Sequence, residues 1–385
     1  MLDRAPVEPE DLGHLRVEFV ARARLDQDRS PAAPEQQRVM RELNPISLIG
    51  VDRSRPHTAR DDAEHAPAVE QESARTQKRP LVLNGLSHEI RVVCLDRFRE
   101  RTRMLTPAEI AHMEEARQAR AMTEIGVEAE PIMGGIMTYL EPGSWSNQVC
   151  GIGLSGKATS DEVARIVEFF SSRGVEPKVE IAQFVDESLL IALAEHKFEL
   201  RQFETVLARQ IGDNEQINPT PPGGWPIDGE GNELVIERVD PDDEPTVLES
   251  WRVSISGFID EPRDPTEKEL GMHQRIVSHP HSDYLVAKFG ERIVGAGGAE
   301  YPRGDEIAVG VLFGVSVLDE FRRRGIQQAM ILRRVIGAQN RGAKVVVIHS
   351  VPGASTDRNS MRLGFEPCYT KVIMAVSGEG LEPSP

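Results

Sequence analysis

The segment VSVLDEFRRRGIQQAMILRRVIGAQN, residues 315–340, carries the clearest pattern in the chain. A β-rich run leads into a short polar turn with three arginines and a glycine, and a helix with apolar periodicity follows. Such a turn presents several backbone N–H groups to a ligand, and the helix dipole adds partial positive charge. Gly325 allows the backbone to approach that ligand closely because glycine has no side chain. The pattern indicates a pyrophosphate site, although neither the GxxxxGK[ST] nor the GxGxxG motif is present.

Regular elements are predicted on both sides of this segment. A β-hairpin and a long strand precede it, and a buried strand, a short helix ending in Leu-Gly-Phe and a last strand follow it. In chain order these elements span residues 284–289, 292–299, 306–317, 344–350, 357–363 and 369–376. Further elements are predicted upstream, among them a strand over residues 132–141 and a helix capped by Ser160.

A sequence repeat links the two halves of the chain and predicts the same order of helices, turns and strands in each. The matching positions are Arg173-Gly174 with Arg341-Gly342, Lys178 with Lys344, and Phe198-Glu199 with Phe365-Glu366. Two α/β units could be similar by chance, but a duplicated domain is the better interpretation. The matching turn in the first half, residues 154–160, has no arginine cluster. We therefore expect the first half to bind no cofactor, and to form either a wall of the substrate pocket or a scaffold.

The residues around the arginines resemble the GNAT acetyltransferase superfamily, whose signature is [Q/R]-x-x-G-x-[G/A]. Arg322 and Gly325 match this signature, whereas Gln327 replaces its last residue. The resemblance covers about residues 234–376 and extends weakly, through the repeat, over residues 132–210. It implies an α/β (α+β) protein with a mixed, mostly antiparallel twisted sheet flanked by helices. The fold would be duplicated, as a tandem GNAT with a degenerate N-terminal half.

The resemblance also implies an activity, that of an N-acetyltransferase. Acetyl-CoA would be the acyl donor, the amine of a small molecule would attack the thioester directly, and no metal would be needed. The pyrophosphate would bind the arginine turn, and the pantetheine arm would lie in a gap beside the preceding strand. The implied cofactor-binding residues are Val315, Val317, Arg322, Arg323, Arg324, Gly325, Ile326, Gln327, Gln328 and Asn359. The alternative is a non-catalytic acyl-CoA-binding regulatory module.

Candidates for proton transfer are Glu306 and Tyr369. Glu306 opens the fourth strand of the second half, where many family members place their general base. The family's usual proton donor is a tyrosine in the last helix, but Ser360 stands at that position, so Tyr369 on the following strand is the substitute. His349, at the end of the fifth strand, is a further candidate. Each also has an ordinary interpretation, as a hairpin charge, a core tyrosine or a structural histidine.

The amino-acid composition disfavours some classes of binding partner. With 45 basic and 62 acidic residues the net charge is −17, which disfavours nucleic acid and anionic membranes. No apolar run is long enough for a spanning helix, and no signal peptide is recognisable. The three cysteines form no CxxC motif or Cys/His cluster, so neither a zinc site nor a disulfide framework is supported. We predict a cytoplasmic protein that acts on a small-molecule amine, and leave a homodimer open.

The predicted domain organisation has five parts. Few large apolar residues occur over residues 52–80, so residues 1–103 are predicted to be a poorly structured N-terminal extension. Either this extension is genuine or the native start is Met104, just before a predicted helix capped by Thr106. The remaining parts are a degenerate GNAT-like domain (104–210), a linker (211–232), a GNAT acetyltransferase domain (233–378) and a disordered tail (379–385).

Overall fold

Helix starts follow the capping residues of the sequence. The computed structural model describes residues 104–212, 214–259, 261–304 and 308–383, so the predicted extension over residues 1–103 lies outside it. The first described helix, Pro107–Glu124, begins after Thr106, whose hydroxyl accepts the N–H of Glu109. The Glu109 carboxylate accepts the N–H of Thr106 in return, at 2.8 Å. This capping box satisfies backbone donors that the first turn would otherwise leave unpaired.

The described residues form seven α-helices and eleven β-strands. The helices are α1 (Pro107–Glu124), α2 (Ser160–Ser171), α3 (Glu187–Glu195), α4 (Glu244–Ile255), α5 (Glu267–Ser278), α6 (Ile326–Asn340) and α7 (Ser355–Arg362). The strands are β1 (Glu128–Ile132), β2 (Gly135–Tyr139), β3 (Gln148–Cys150), β4 (Lys178–Ala182), β5 (Glu199–Gln210), β6 (Val235–Arg238), β7 (Ser282–Phe289), β8 (Arg292–Glu300), β9 (Val309–Val317), β10 (Val345–Ser350) and β11 (Glu366–Ala375). A short 3₁₀ turn, Asp319–Phe321, precedes α6.

All eleven strands belong to one sheet, in the order β1-β2-β3-β4-β11-β5-β10-β9-β8-β7-β6. Two neighbouring pairs, β3 with β4 and β9 with β10, are parallel, and the other pairs are antiparallel. The sheet is therefore mixed and mostly antiparallel, as predicted. One parallel pair is the third pair counted from the β1 edge, and the other is the fourth counted from the β6 edge.

The two strands at the centre of the sheet are exchanged between the halves of the chain. Strand β5 ends the first half but pairs with β10 of the second half. Strand β11 ends the second half but pairs with β4 of the first half. The exchanged strands also pair with each other, so the first and second halves share one continuous ladder of hydrogen bonds.

Side chains that alternate along the central strands form a core on each face of the sheet. On one face Ile110 and Ala111 of α1 pack against Val347 and Tyr369. On the other face Ile331 of α6 packs against apolar residues of β9 and β10, including Ile348. Successive residues of a strand point to opposite faces, which is why Val347 and Ile348 belong to different clusters. No helix in the described part of the chain is both long enough and apolar enough to cross a membrane.

Two local predictions in the first half were wrong. The strand predicted over residues 132–141 begins only at Gly135 as β2, because Met133 and Gly134, at φ 45° and 82°, form the turn of a hairpin with β1. The cap of α2 is Thr159 and not Ser160, since the Thr159 hydroxyl accepts the N–H of Glu162 and the Glu162 carboxylate accepts that of Thr159. Both threonine and serine can cap a helix, and here the acidic side chain three residues after Thr159 completes the box.

The C-terminus differs from the expected disordered tail over residues 379–385. The described part of this segment returns to the first half, where the backbone of Glu382 accepts a hydrogen bond from Glu176 N at 2.9 Å and donates one to Gly174 O at 2.8 Å. These two bonds order the segment. The predicted linker also contacts the second half, because Trp225 donates its indole N–H to Leu234 O at 2.9 Å.

Candidate active site

A gap opens between β9 and β10, the parallel strands of the second half. Their pairing runs from Val309 opposite Val345 to Leu312 opposite Ile348 and then ends. Strand β9 nevertheless continues to Val317 and β10 to Ser350. The strands therefore diverge toward their carboxyl ends, on the side where α6 begins. Val315 and Val317, the residues predicted to line the pantetheine arm, lie on the unpaired part of β9.

A β-bulge lies on β9 just beyond the last paired residue. Gly297 of β8 faces two residues of β9, Gly314 and Val315, and Gly314 has a φ of 57°. A bulge of this kind bends the strand and leaves backbone groups outside the regular ladder. Here Ser254 of α4 donates its hydroxyl to Gly314 O at 2.8 Å. The bulge thus coincides with the place where β9 leaves β10.

The turn before α6 presents backbone to solvent. Arg323 and Gly325 are both left-handed, with φ values of 63° and 80°, and α6 begins at Ile326 with no side chain capping its N-terminus. A Cβ added at Gly325 would meet only Pro226 Cγ, at 3.8 Å. The N–H groups of the first turn of a helix have no intrahelical partner, and the dipole favours an anion there. These residues fit the pyrophosphate of CoA.

The three arginines of the turn differ in what they contact. Arg322 donates its Nε to Val317 O at 3.0 Å and pairs with Asp319 at 2.7 Å. Arg324 donates to Glu320 O at 3.2 Å. Arg323 is exposed. Two of the guanidinium groups are therefore held near the end of β9, and all three add positive charge beside the turn.

The polar residues predicted to bind the cofactor are hydrogen-bonded to one another between α6 and α7. Gln328 donates to Asn359 Oδ1 at 3.0 Å, and Asn359 donates to Gln327 Oε1 at 2.5 Å. Gln327 also donates to the Thr356 hydroxyl at 3.1 Å. These bonds fix α7 against the first turn of α6, and leave the backbone of that turn as the group that would face a phosphate.

The structure describes only some of the proton-transfer candidates. Glu306 lies outside the described residues. Tyr369 is on β11, which β5 separates from β10, and its hydroxyl donates to Glu115 Oε1 of α1 at 3.0 Å. Burial and the negative charge of Glu115 both raise the pKa of Tyr369. Ser360, which stands at the position of the family's usual tyrosine, is fully buried.

His349 lies directly after the last β10 residue that pairs with β9, and it is held between two carboxylates. Its Nε2 is 3.1 Å from Glu114 Oε1 of α1, and its Nδ1 is 3.2 Å from Glu204 Oε2 of β5. Burial alone would lower the pKa of His349, but the charge of Glu204 and the hydrogen bonds to both carboxylates outweigh burial and raise it to about 9. The imidazole is therefore charged at neutral pH and has no free ring nitrogen to accept a proton.

Charged side chains from the first half surround this end of the sheet. Arg117 of α1 donates to Glu114 at 2.8 Å and also pairs with Glu300 at the end of β8. Burial alone would raise the pKa of Glu114, but the charges and hydrogen bonds of Arg117 and His349 together outweigh burial and lower the pKa to about 2. Within the described ranges, no group of three or more His, Cys, Asp or Glu side chains is arranged to hold a metal ion.

The sequence reasoning missed Glu114, Glu204 and Arg334 as residues of this region. Arg334 of α6 is fully buried and donates its Nη1 to Gly298 O at 2.9 Å and to Phe313 O at 3.3 Å, two residues that face each other next to the bulge. A signal was present for Arg334, because Met330, Arg334 and Ala338 follow one face of the helix at four-residue spacing. No local pattern pointed to the two glutamates, which meet His349 only in the folded chain.

One known protein family is similar to part of the chain. Residues 247–365 match the model of the acetyltransferase (GNAT) family. This range spans α4 to the start of β11, and it includes the bulge, the gap and the arginine turn. No curated protein matches the chain.

Solved structures are similar to this chain at low sequence identity. A GCN5-related N-acetyltransferase from Kribbella flavida is 16% identical, with 69% of this chain and 96% of that chain covered and a TM-score of 0.48. Another from Sphaerobacter thermophilus is 20% identical over 53% of this chain and 60% of that one, with a TM-score of 0.39. A tandem GNAT protein from the clavulanic acid biosynthesis pathway is 13% identical over 60% and 74%, with a TM-score of 0.44.

Residues 247–365, which are less than half of the chain, are therefore similar to the acetyltransferase (GNAT) family.

Proposed function

We propose that the chain is an acetyl-CoA-dependent N-acyltransferase that acetylates the amine of a small molecule. The observation that carries this proposal is the uncapped N-terminus of α6, which lies beside the place where β9 and β10 diverge. An anion-binding helix start next to an opening in the sheet suits a donor with a pyrophosphate at one end and an acyl group at the other. The GNAT domain over residues 247–365 supports the same activity.

The binding roles follow from the described residues. The backbone of Arg323–Gln328 would hold the pyrophosphate, with the nearby arginine charges adding attraction. Val315 and Val317, beyond the last β10 pairing, would border the pantetheine arm. Acetyl-CoA supplies the acetyl group as a thioester, and the amine nitrogen attacks the carbonyl carbon while the thiol leaves. The bulge of β9 is the nearest irregular backbone that could orient that carbonyl.

Proton transfer requires a base close to the acceptor amine. An amine must lose a proton to become a nucleophile, and Glu306, just before β9, is our proposed base. His349 is unsuited to that task, because its pKa is raised to about 9 and both ring nitrogens face carboxylates. Tyr369 stays the predicted proton donor to the leaving thiol, although its hydrogen bond to Glu115 favours a role in packing.

Substitution of Gly325 tests the cofactor site. Gly325→Glu should abolish acetyl-CoA binding, because it puts a carboxylate and a Cβ into the place proposed for the pyrophosphate. Isothermal titration calorimetry measures this directly. Gly342→Glu is the matched control, since Gly342 follows the other end of α6, has a φ of 84° and has open space around its Cα. The two variants share the backbone strain of a left-handed residue, of about 1–2 kcal/mol, and differ only in position.

Unchanged affinity in a folded Gly325→Glu protein would place the CoA site elsewhere. Equal loss of affinity in the two variants would show that backbone strain, and not the carboxylate, is responsible.

A non-catalytic acyl-CoA-binding module is the second candidate. The observation that favours it is the pair of departures from the family's proton donor, a buried Ser360 at the usual position and a Tyr369 away from the gap. Thiol release from acetyl-CoA with a library of amines, followed by mass spectrometry of the products, separates the two candidates. Binding without any amine-dependent thiol release would favour the regulatory module.

A further inference from the structure

Arg334 is a buried cation whose described contacts include no carboxylate. The residue is fully buried, and its three hydrogen bonds all go to backbone carbonyl groups, those of Met330, Gly298 and Phe313. Its Nη2 is buried and has no hydrogen-bond partner among the described residues. The buried Arg117 differs in this respect, because it pairs with Glu114 and Glu300.

Burial of an unpaired charge opposes folding. It lowers the pKa of Arg334 to about 10, whereas paired Arg117 has its pKa raised. An apolar side chain of similar length would fill the same volume without a charge to desolvate. The arginine at this position is therefore explained by its several N–H donors, which an apolar side chain lacks.

The Arg334 guanidinium donates hydrogen bonds to backbone carbonyl groups next to the bulge. Gly298 O and Phe313 O belong to the last regular pair before the bulge, and the same Nη1 donates to both of them. From the opposite side Ser254 of α4 donates to Gly314 O, within the bulge itself. The carbonyl groups of the bulge and of the pair next to it are thus held by donors from α4 on one face and from α6 on the other.

The backbone around the guanidinium is also shaped to admit it. A Cβ at Gly297 would lie 3.2 Å from Arg334 Nη1 and 3.0 Å from Val315, so a larger residue would displace one of them. The bulge begins at Gly314, two residues after Leu312, where pairing with β10 ends. The course of β9 along the gap therefore depends on the groups that hold the bulge.

We propose that Arg334 is a positioning residue that holds the β9 bulge in the shape that receives the acyl end of acetyl-CoA. This inference rests on the proposed function, because it takes the gap between β9 and β10 as the acyl-donor site. Arg334 is fully buried beneath the sheet and acts through the backbone of Phe313–Val315. It differs in this from the exposed arginines of the turn, which lie beside the phosphates.

Two probes separate this role from general support of the fold. Adenosine 3′,5′-bisphosphate reaches the arginine turn only, whereas acetyl-CoA extends into the gap. Arg334→Ala should weaken acetyl-CoA binding by up to about 10²-fold and leave binding of the bisphosphate nearly unchanged. Added guanidinium ion should restore acetyl-CoA binding in part, because it fills the vacated donor position. Arg333→Ala, at the neighbouring exposed position, is the matched control and should change neither affinity.

Three results would overturn the inference. The first is wild-type affinity for acetyl-CoA in a folded Arg334→Ala protein, and the second is an equal loss for both probes with no rescue by guanidinium. If Arg334→Ala does not fold, hydrogen exchange in the wild-type protein decides. Acetyl-CoA should protect the amides of residues 313–317 more than the bisphosphate does, and equal protection is the third contrary result. Failure of the wild-type protein to bind acetyl-CoA would instead refute the proposed function, and the inference with it.

Discussion

An amine acceptor carries a proton at neutral pH, and a side chain or water chain has to remove it before the nitrogen can attack. In the proposed reaction this side chain is Glu306. It follows β8 and precedes β9, whose carboxyl-terminal part borders the gap. His349 lies near the end of β10, but both of its ring nitrogens face carboxylates, those of Glu114 and Glu204. Glu306 is therefore the residue to test as the base.

Glu306→Gln should lower kcat by about 10²–10⁴-fold with acetyl-CoA affinity little changed, because the variant keeps its size but loses the basic oxygen. Tyr369→Phe should cost less, since a thiolate is a tolerable leaving group without a proton donor. Steady-state kinetics with an identified amine acceptor measures both effects.

Glu291→Gln is the control for Glu306→Gln, because Glu291 is an exposed carboxylate in the turn at the other end of β8. Nearly full activity of Glu306→Gln would mean that this residue is only a hairpin charge and that water removes the proton.

Helix α1 forms ion pairs with strands at the centre of the sheet. Its Glu114 faces His349 of β10, and its Glu115 is 3.1 Å from Lys371 Nζ of β11, a fully buried amine. Each of these groups has an opposite charge within hydrogen-bond distance. Removal of one partner from such a pair is strongly destabilising, because the remaining charge stays buried. The packing of α1 on the centre of the sheet should therefore depend on pH.

The charge of His349 gives this dependence a definite sign. Its pKa rises from an ordinary value of 6.5 to about 9 in the folded protein. The stabilisation is therefore complete below about pH 6.5 and is lost as the pH rises through about 9. The carboxylates that face it stay ionised over this range, since Glu114 has a pKa lowered to about 2 and the pKa of Glu204 is also lowered. Arg117 and Lys371, the neighbouring cations, have raised pKa values and stay charged.

His349→Gln should destabilise the protein on the order of 3 kcal/mol near about pH 6, and by much less above about pH 9. Thermal unfolding of the wild-type and variant proteins across this range measures the difference. His112→Gln, at an exposed position of α1, should show no such trend. A difference between wild type and His349→Gln that stays constant with pH would contradict a charged imidazole at this site.

Because β5 and β11 are exchanged, the folding of each half of the chain depends on the other half. Strand β10 has β5 of the first half on one side, and β11 lies between β4 and β5. A chain of residues 233–385 would lack both neighbours of β11 and would leave β10 with an open edge. Unpaired edges of this kind favour aggregation over a defined fold.

Residues 104–385 should unfold cooperatively and bind acetyl-CoA as the full chain does, because they contain every described strand and helix. Residues 233–385 alone should not, and co-expression with residues 104–212 should restore a soluble complex. Chemical denaturation and titration calorimetry measure these properties. A stable 233–385 protein with normal acetyl-CoA affinity would show that the exchange of strands is dispensable. Loss of solubility in the 104–385 protein would show that residues 1–103 are needed for the fold.

Much of the second half was predictable because its signals are local. The strand over residues 344–350, the helix that begins after Gly325 and the short helix before Leu-Gly-Phe are all present, with ends shifted by one or two residues. The missed hairpin at Met133-Gly134 shows the limit of such signals, since a left-handed methionine is not a usual turn residue.

Capping residues and hydrophobic periodicity predict most helices and buried strands of the second half, and a turn followed by a helix N-terminus predicts an anion site. These features depend on residues a few positions apart, as in the box formed by Thr106 and Glu109. The exchange of β5 and β11, the pairing of Glu114 with His349 across 235 positions and the burial of Arg334 behind the bulge appear only in the folded protein. Strand partners and buried charges are selected by the packing of distant segments, and composition or periodicity along the chain does not encode which segments meet.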